Sequence, residues 1–435
     1  MSENYNGDYG THGRSDGSYS RYSRSAGVSS YHKRRRQSTV FRVVLFSMLA
    51  VIVGGAIVMI VGHFVGKNTA PVQSASEQVS KQEISTAQPA EITLVASGDV
   101  VMNSAVVESG RKDSGAYGFD HLFEHIRSEL SGVDIRIVSQ ETNLPGSKFG
   151  FGNSTPLNAP QELGRAEMSA GFNVVLRATD HTLDNGHEGL HNEIEWWDDE
   201  YPDTPLLGIA EPDPEENPDL NDYVNNVYMF DKEGFKIAII NHSWDIGEDD
   251  HGVVSPLEEE KIRLDVQKAR DEGANIVVAC PHWGNENETE TSEEEETFVW
   301  AYANAGVDLV IGNHPRVLQR TEVLHTDDGH TTVCFFSLGC LISSLNNENL
   351  LGGLAEVTFS RNDHGECSVS SAKLKPVVTH RDNTDGFTVY LLSNYTEQLA
   401  HSGWDYLSLD TLNERCTEIL GEGYNADEGV LNIAL

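Results

Sequence analysis

Basic residues are scarce in this 435-residue chain: 30 Lys and Arg stand against 68 Asp and Glu, a formal net charge of −38. The shortage is uneven. Eight of the 30 fall before residue 43, where the only acids are Glu3, Asp8 and Asp16, so the rest of the chain carries 22 basic and 65 acidic residues. A body of that sign argues against nucleic acid as a partner, because phosphate contacts need clustered Lys and Arg. It also disfavours adhesion to anionic lipid beyond what an anchor supplies. Cysteine is sparse as well. Cys280, Cys334, Cys340, Cys367 and Cys416 form no C-x-x-C pair, so neither a zinc ribbon nor a dithiol redox motif is encoded. Cys280 and Cys334 lie in apolar strand-like runs, the usual setting of buried free thiols.

Aliphatic residues are nearly missing from the first 30 positions, which are rich in Ser, Gly, Tyr and Arg; such a segment cannot bury a core and is expected to be disordered. One long apolar run follows, residues 43–65, interrupted only by small residues, Ser47 and His63. About 20 apolar residues cross a bilayer. The run is too long, and too far from the N-terminus, for a cleaved signal peptide. Lys33-Arg34-Arg35-Arg36 precedes it, which keeps the N-terminus in the cytoplasm and sends the body outside. The expected organisation is a basic cytoplasmic tail (1–42), a transmembrane helix (43–65), a Ser/Gln/Ala/Glu linker (66–90), a folded domain (91–376) and a C-terminal extension (377–435) with a helix over 409–420.

From residue 91 the pattern alternates between strand and helix. Apolar runs predict strands at 92–96, 135–138, 174–176, 236–240, 276–279 and 309–311. Helical spacing predicts helices at 119–130, 160–170, 187–200, 256–272 and 293–305. Residues 211–222, full of Pro, Asp, Glu and Asn, read as a surface insertion. Two hairpins follow, 321–325 with 331–336 around Asp327-Asp328-Gly329, and 352–359 with 367–374. The fold class this predicts is α/β, with two packed sheets flanked by helices.

Five of the strands run into loops that carry chemistry. They offer Asp99, Glu141, Asp180 with His181 and Asp184, His282, and Asn313 with His314 and Arg316. Loops at the carboxyl ends of strands are where ligands collect in α/β sheets. Carboxylates and neutral imidazoles converging from several loops are what metal-assisted hydrolysis requires. This mixed nitrogen and oxygen set suits Mn, Fe or Zn.

These same stretches resemble a known family. Ser97-Gly98-Asp99-Val100-Val101-Met102 resembles an opening G-D-hydrophobic-Met motif, and Ser139-Gln140-Glu141-Thr142 resembles N-L-E-T. Ala178-Thr179-Asp180-His181-Thr182-Leu183-Asp184-Asn185-Gly186 resembles A-N-N-H-A-L-D-Y-G. His282-Trp283-Gly284 matches H-W-G, Gly312-Asn313-His314-Pro315-Arg316-Val317-Leu318-Gln319 resembles G-H-H-P-H-V-L-Q, and Ser337-Leu338-Gly339 resembles Y-S-L-G-N. This is the pattern of the bacterial CapA proteins of poly-γ-glutamate capsule synthesis, which are similar to calcineurin-like metallophosphoesterases. The resemblance covers roughly residues 92–359. It implies a metallophosphatase-like α/β/β/α sandwich. It also implies metal ligands at Asp99, Glu141, Asp180, His282 and His314, a catalytic pair His181 and Asp184, and ligand-binding roles for Asn313 and Arg316. The implied partners are an anionic polymer such as poly-γ-glutamate and a membrane-embedded synthase or exporter.

The departures carry information. Ser139, Asp180 and Arg316 replace Asn, Asn and His of the family pattern. A guanidinium has no lone pair to give a metal, so a second ion loses a ligand and meets a positive charge. One ion, two ions and none are all compatible with the sequence. Three functions follow as expectations: a capsule-synthesis factor, an extracytoplasmic metal-dependent phosphoesterase, and a non-catalytic polymer-binding scaffold.

Overall fold

The computed structural model describes residues 90–152, 155–210, 226–247, 252–344, 348–382, 386–403 and 407–435. The expected tail, transmembrane helix, all but the last residue of the linker and the insertion at 211–222 lie outside them. Among the described residues no helix is long and apolar enough to cross a membrane.

Two sheets form the centre. The first holds β1 (Ala90–Val100), β2 (Ile135–Ser139), β3 (Val174–Leu176) and β4 (Leu206–Leu207) as parallel neighbours. The second holds β5 (Tyr228–Lys232), β6 (Phe235–Ser243), β7 (Ile276–His282), β8 (Leu309–Ile311), β9 (Thr321–His325) and β10 (Thr331–Phe335), in the order β5-β6-β7-β8-β10-β9. β6, β7, β8 and β10 are parallel, and the two edge strands run antiparallel. In the chain order, β11 (Cys340–Ile342) then returns to β1 of the first sheet, followed by β12 (Leu351–Arg361) and β13 (Cys367–Arg381), with β12 pairing antiparallel to β1.

Side chains of a strand alternate between faces, and here both faces of each sheet are buried. Ile92, Leu94, Ile135, Ile137 and Leu176 of the first sheet share a core with Phe235, Ile237, Ile276, Val278, Leu309 and Ile311 of the second. The alternate set faces helices. Val95, Val138 and Val175 pack with Leu163, Ala166 and Trp197, which belong to α1 (Glu162–Ala170) and α2 (Gly186–Glu200). Ala238, Val277, Ala279 and Val310 pack with Ile262, Val266, Val299 and Tyr302 of α3 (Glu259–Asp271) and α4 (Glu293–Ala305). The result is helices, sheet, sheet, helices. Continuous apolar strands such as Ile276-Val277-Val278-Ala279 are what burial on both faces demands.

Two stretches differ from their sequence reading. Phe119, Leu122, Phe123, Ile126 and Leu130 are all buried, as a helical face would have them. Yet the backbone forms a 3₁₀ turn (Asp120–Phe123) and one α turn (Arg127–Leu130). The Thr388 hydroxyl donates to the carbonyls of His121 and Leu122, acceptors that a continuous helix would use internally. The second concerns the end of the chain. β13 runs unbroken from Cys367 through Arg381, and β14 (Phe387–Leu391) and β15 (Val430–Asn432) pair with it. Leu392, Leu412, Cys416 and Leu431 join the inter-sheet core. Described residues beyond 377 thus add strands to the first sheet and side chains to its core. All five cysteines are free.

Candidate metal centre

β1, β2 and β3 of one sheet and β6, β7 and β8 of the other bring their carboxyl ends to one cleft. Register explains the convergence: Asp99 lies beside Ser139, Ser243 beside His282, and His282 beside Asn313. The approach of β1 to the 337–339 turn requires glycine at Gly98, where an added Cβ would stand 2.0 Å from the Gly339 carbonyl oxygen. That proximity lets the Asp99 N–H donate to the Gly339 carbonyl at 2.9 Å.

Asp180, His282 and His314 form a tight trio. Asp180 Oδ1 lies 2.9 Å from His282 Nε2 and 3.6 Å from His314 Nδ1, and the two imidazole nitrogens are 3.2 Å apart. Two donors each ~2.1 Å from one ion stand about 3.0–3.4 Å apart, so this spacing fits a single divalent cation. Two imidazoles and a carboxylate are a donor set for Zn, Mn or Fe. Burial opposes ionisation of Asp180, but hydrogen bonds from His282 and His314 hold it well below the usual carboxylate range. The same carboxylate raises His314 against the effect of burial.

A second trio shares Asp180: its Oδ2 is 3.7 Å from His181 Nε2, which is 3.5 Å from Glu141 Oε1. Here a cation is already built in. Arg316 Nη2 ion-pairs with Glu141 Oε1 and lies 2.9 Å from His181 Nε2. Burial works against the guanidinium charge, yet Glu141, Glu286 and Asp180 raise its pKa further above the arginine range. The residues present fit one ion at the first trio. At the second, the side chain of Arg316 takes up two of the three donors.

His181 Nδ1 lies 2.8 Å from Asp184 Oδ2, and Asp184 also accepts from the Leu157 N–H at 2.7 Å. Burial lowers the His181 pKa, but Asp184, Glu141 and Asp180 outweigh it and push the value up to about 9. The contact with Arg316 argues otherwise, since a guanidinium N–H at 2.9 Å needs a lone pair on Nε2. The hydrogen-bond geometry is the stronger constraint: it assigns the neutral ring with its proton on Nδ1, facing Asp184.

Asp99 stands behind the first trio. Its Oδ1 accepts from Ser139 Oγ at 2.7 Å and its Oδ2 from the His314 N–H at 2.9 Å, and His282 Nδ1 is 3.8 Å from Oδ1. Burial and the neighbouring Glu141 raise its pKa to about 6. Asn313 is buried, with both side-chain amide atoms lacking a hydrogen-bond partner. The loop itself is strained, with φ of 97° at His314 and 61° at Arg316. Non-glycine residues in such conformations cost about 1–3 kcal/mol each and cluster at functional sites. Three hydrogen bonds hold it: His314 N–H to Asp99, the Asn287 N–H to the Pro315 carbonyl at 2.8 Å, and Asn349 Nδ2 to the Arg316 carbonyl at 2.9 Å.

The cleft also contains residues the sequence reading passed over. Trp244, directly after β6, is 42% exposed and its ring centroid lies 5.6 Å from that of His314. The signal was there, an aromatic residue directly after a strand that pairs with β7, the strand ending at His282. Glu286 pairs with Arg316 Nη1 at 3.0 Å. Arg177, wholly buried after β3, ion-pairs with Glu193 and donates to its Oε2 through Nη2 at 3.2 Å, to Asn143 Oδ1 through Nη2 at 2.8 Å, and to the Gln140 carbonyl through Nη1. Asn143 in turn donates to the His181 carbonyl at 2.7 Å. No local pattern marks Arg177, because its partners come from two separate elements, the loop after β2 and α2.

Two packed sheets with a carboxylate–imidazole cleft at the carboxyl ends of their strands thus define the class: a two-sheet α/β protein whose cleft offers a donor set for a divalent ion. The chain belongs to the bacterial capsule synthesis protein PGA_cap family, whose model matches residues 93–344. It is similar to the capsule biosynthesis protein CapA of Bacillus anthracis, 26% identical over 262 residues, which are 57% of this chain and 59% of that protein. It is also similar to the PGA biosynthesis protein CapA of Bacillus subtilis (strain 168), 27% identical over 250 residues, or 56% and 60%. The match thus spans about 60% of each relative. Among solved structures it resembles the calcineurin-like phosphoesterase YfkN from Bacillus subtilis (TM-score 0.39, 14% identity, 66% of this chain and 90% of that one). A phosphatase from Mycoplasma pneumoniae gives a TM-score of 0.39 at 13% identity, covering 66% and 94%.

Proposed function

We propose that this protein acts in poly-γ-glutamate capsule synthesis, export or surface attachment, from outside the cytoplasmic membrane and beside a membrane-embedded polymer synthase or exporter. Family membership over residues 93–344 supports the capsule assignment. The location rests on the basic cluster at 33–36 preceding the apolar run 43–65. Protease added to wall-stripped cells is expected to digest everything beyond about residue 68, and protection of that region would reverse the topology.

The observation that shapes the chemistry is Arg316 on Glu141 and His181. Asp180, His282 and His314 would hold one divalent ion, which supplies Lewis-acid chemistry when bound. Arg316 neutralises Glu141 and fixes the His181 ring, which Asp184 orients from the other side. A site of this kind offers one exchangeable cation, one fixed one, and an imidazole whose proton faces a carboxylate.

The rival reading, a metal-dependent phosphoesterase, is favoured by the first trio and tested by the same variant. Arg316→His replaces a fixed cation with a neutral donor beside Glu141 and His181. Metal analysis is expected to show stoichiometry rising from one ion to two, with turnover of a chromogenic phosphoester rising about 10–100-fold, the scale on which changes around a metal act. Two ions and brisk turnover in the wild type would sink the single-ion reading. No metal in either form would leave the polymer-binding scaffold.

A further inference from the structure

Arg316 has two unlike halves. Its inner nitrogen is buried against Glu141 and His181, while its outer nitrogen, Nη1, meets Glu286 Oε1 at 3.0 Å. The arginine side chain is 9% exposed and the Glu286 side chain 42%. An ion pair to a carboxylate that water reaches so freely is weakly held, whereas the Glu141 contact is enclosed. Arg316 Nε is buried and has no hydrogen-bond partner. That donor lies on the inner edge it shares with Nη2, so the outer edge of this side chain is Nη1, which meets only the half-exposed Glu286 carboxylate.

The loop that carries Glu286 is pinned independently of that carboxylate. The Asn287 N–H donates to the Pro315 carbonyl, Asn349 Nδ2 reaches Asn287 Oδ1 at 3.1 Å, and Gln319 Nε2 reaches the Glu288 carbonyl at 3.0 Å. The Glu286 side chain can leave Arg316 without the loop moving.

We propose that the outer edge of Arg316 is a recognition site for a ligand carboxylate, and that Glu286 is a tethered stand-in which the ligand displaces. The ligand class is a chain bearing free carboxylates, such as γ-linked glutamate, and this rests on the capsule reading above. The exchange replaces one carboxylate with another at the guanidinium, so the charge balance at Arg316 is the same before and after. That gives an acidic protein a way to admit a polyanion at one point. Carboxylate is favoured over phosphate because the group already seated there is a carboxylate, and the displaced Glu286 repels a dianion more strongly than a single carboxylate.

The test is Glu286→Gln, with Glu288→Gln as a control that makes the same charge change on the same loop. Binding is measured at matched metal content by anisotropy of a labelled γ-linked glutamate tetramer, and by competition with glutarate and with inorganic phosphate. Removing the competitor is expected to tighten tetramer and glutarate binding about five-fold, the scale of one half-exposed ion pair, with Glu288→Gln unchanged. Equal gains in both variants would mean general charge relief and overturn the proposal. A gain for phosphate alone overturns the carboxylate class. A gain for glutarate without one for the tetramer supports the Arg316 edge while removing the polyglutamate reading.

Discussion

Asp180→Asn is expected to lower the affinity for Mn or Zn by about 100-fold or more, since the carboxylate is a ligand rather than an outer partner, for which 10–100-fold is usual. Asp180 is the one residue common to both trios. Its Oδ1 converges with His282 Nε2 and His314 Nδ1, and Oδ2 faces His181. The amide keeps the shape and removes the charge, so a fall in affinity isolates electrostatics from packing. The pH dependence has a defined sign. Asp180 raises His314 above its ordinary 6.5 in the metal-free protein, so protonated His314 contributes stability below pH 6.5 that is lost as pH rises through the raised value. Metal must displace that proton, and wild-type affinity should therefore climb with pH above 6.5. In the variant the climb should level off at lower pH, because the neighbouring charge is gone. Calorimetric titration at several pH values measures both. Undiminished affinity in the variant would place the ion away from Asp180.

Arg177→Met is expected to destabilise the protein by about 3–5 kcal/mol, the cost of leaving one partner of a buried ion pair uncompensated, which corresponds to a fall in Tm of roughly 10 °C. Arg177 and Glu193 are both buried, and Glu193 also accepts from Gln140 Nε2 at 2.7 Å and the Leu144 N–H at 3.1 Å. This hub ties the loop carrying Glu141 to the loop carrying Asp180 and His181, through Gln140 on one side and Asn143 on the other. Adding Glu193→Leu removes the stranded charge and should recover part of the loss, as apolar replacement of buried pairs commonly does. Thermal unfolding of the single and double variants decides it. A single variant within 1 kcal/mol of wild type would show that the hub carries little of the stability.

Much of the cleft was legible in the chain itself. Strand ends are local features: an apolar run stops, and a polar residue follows. Val174–Leu176 and Leu309–Ile311 were readable to the residue, as was α4 over Glu293–Ala305, where Ser292 and Glu295 complete a capping box. The segment 119–130 was misread because its apolar spacing is helical while its carbonyls are claimed by Thr388, 267 positions from His121. The boundary at 377 cuts a strand, because β13 runs on past its predicted end at 374 to Arg381 and pairs with β14 and with Val430–Asn432.

By itself, then, the sequence determined which residue types stand at the ends of which strands, and that Arg316 breaks the family's histidine pattern, since both follow from residue order alone. Only the tertiary structure decided what Arg316 does. Its guanidinium reaches Glu141 across 175 positions and holds Glu286 on its other edge. The Arg177 hub and the exposed Trp244 at the cleft depend likewise on how the two sheets are packed. The reason is one of range. Periodicity and strand ends are written over a few residues, whereas a cleft between two sheets is closed by contacts whose partners the local sequence does not name.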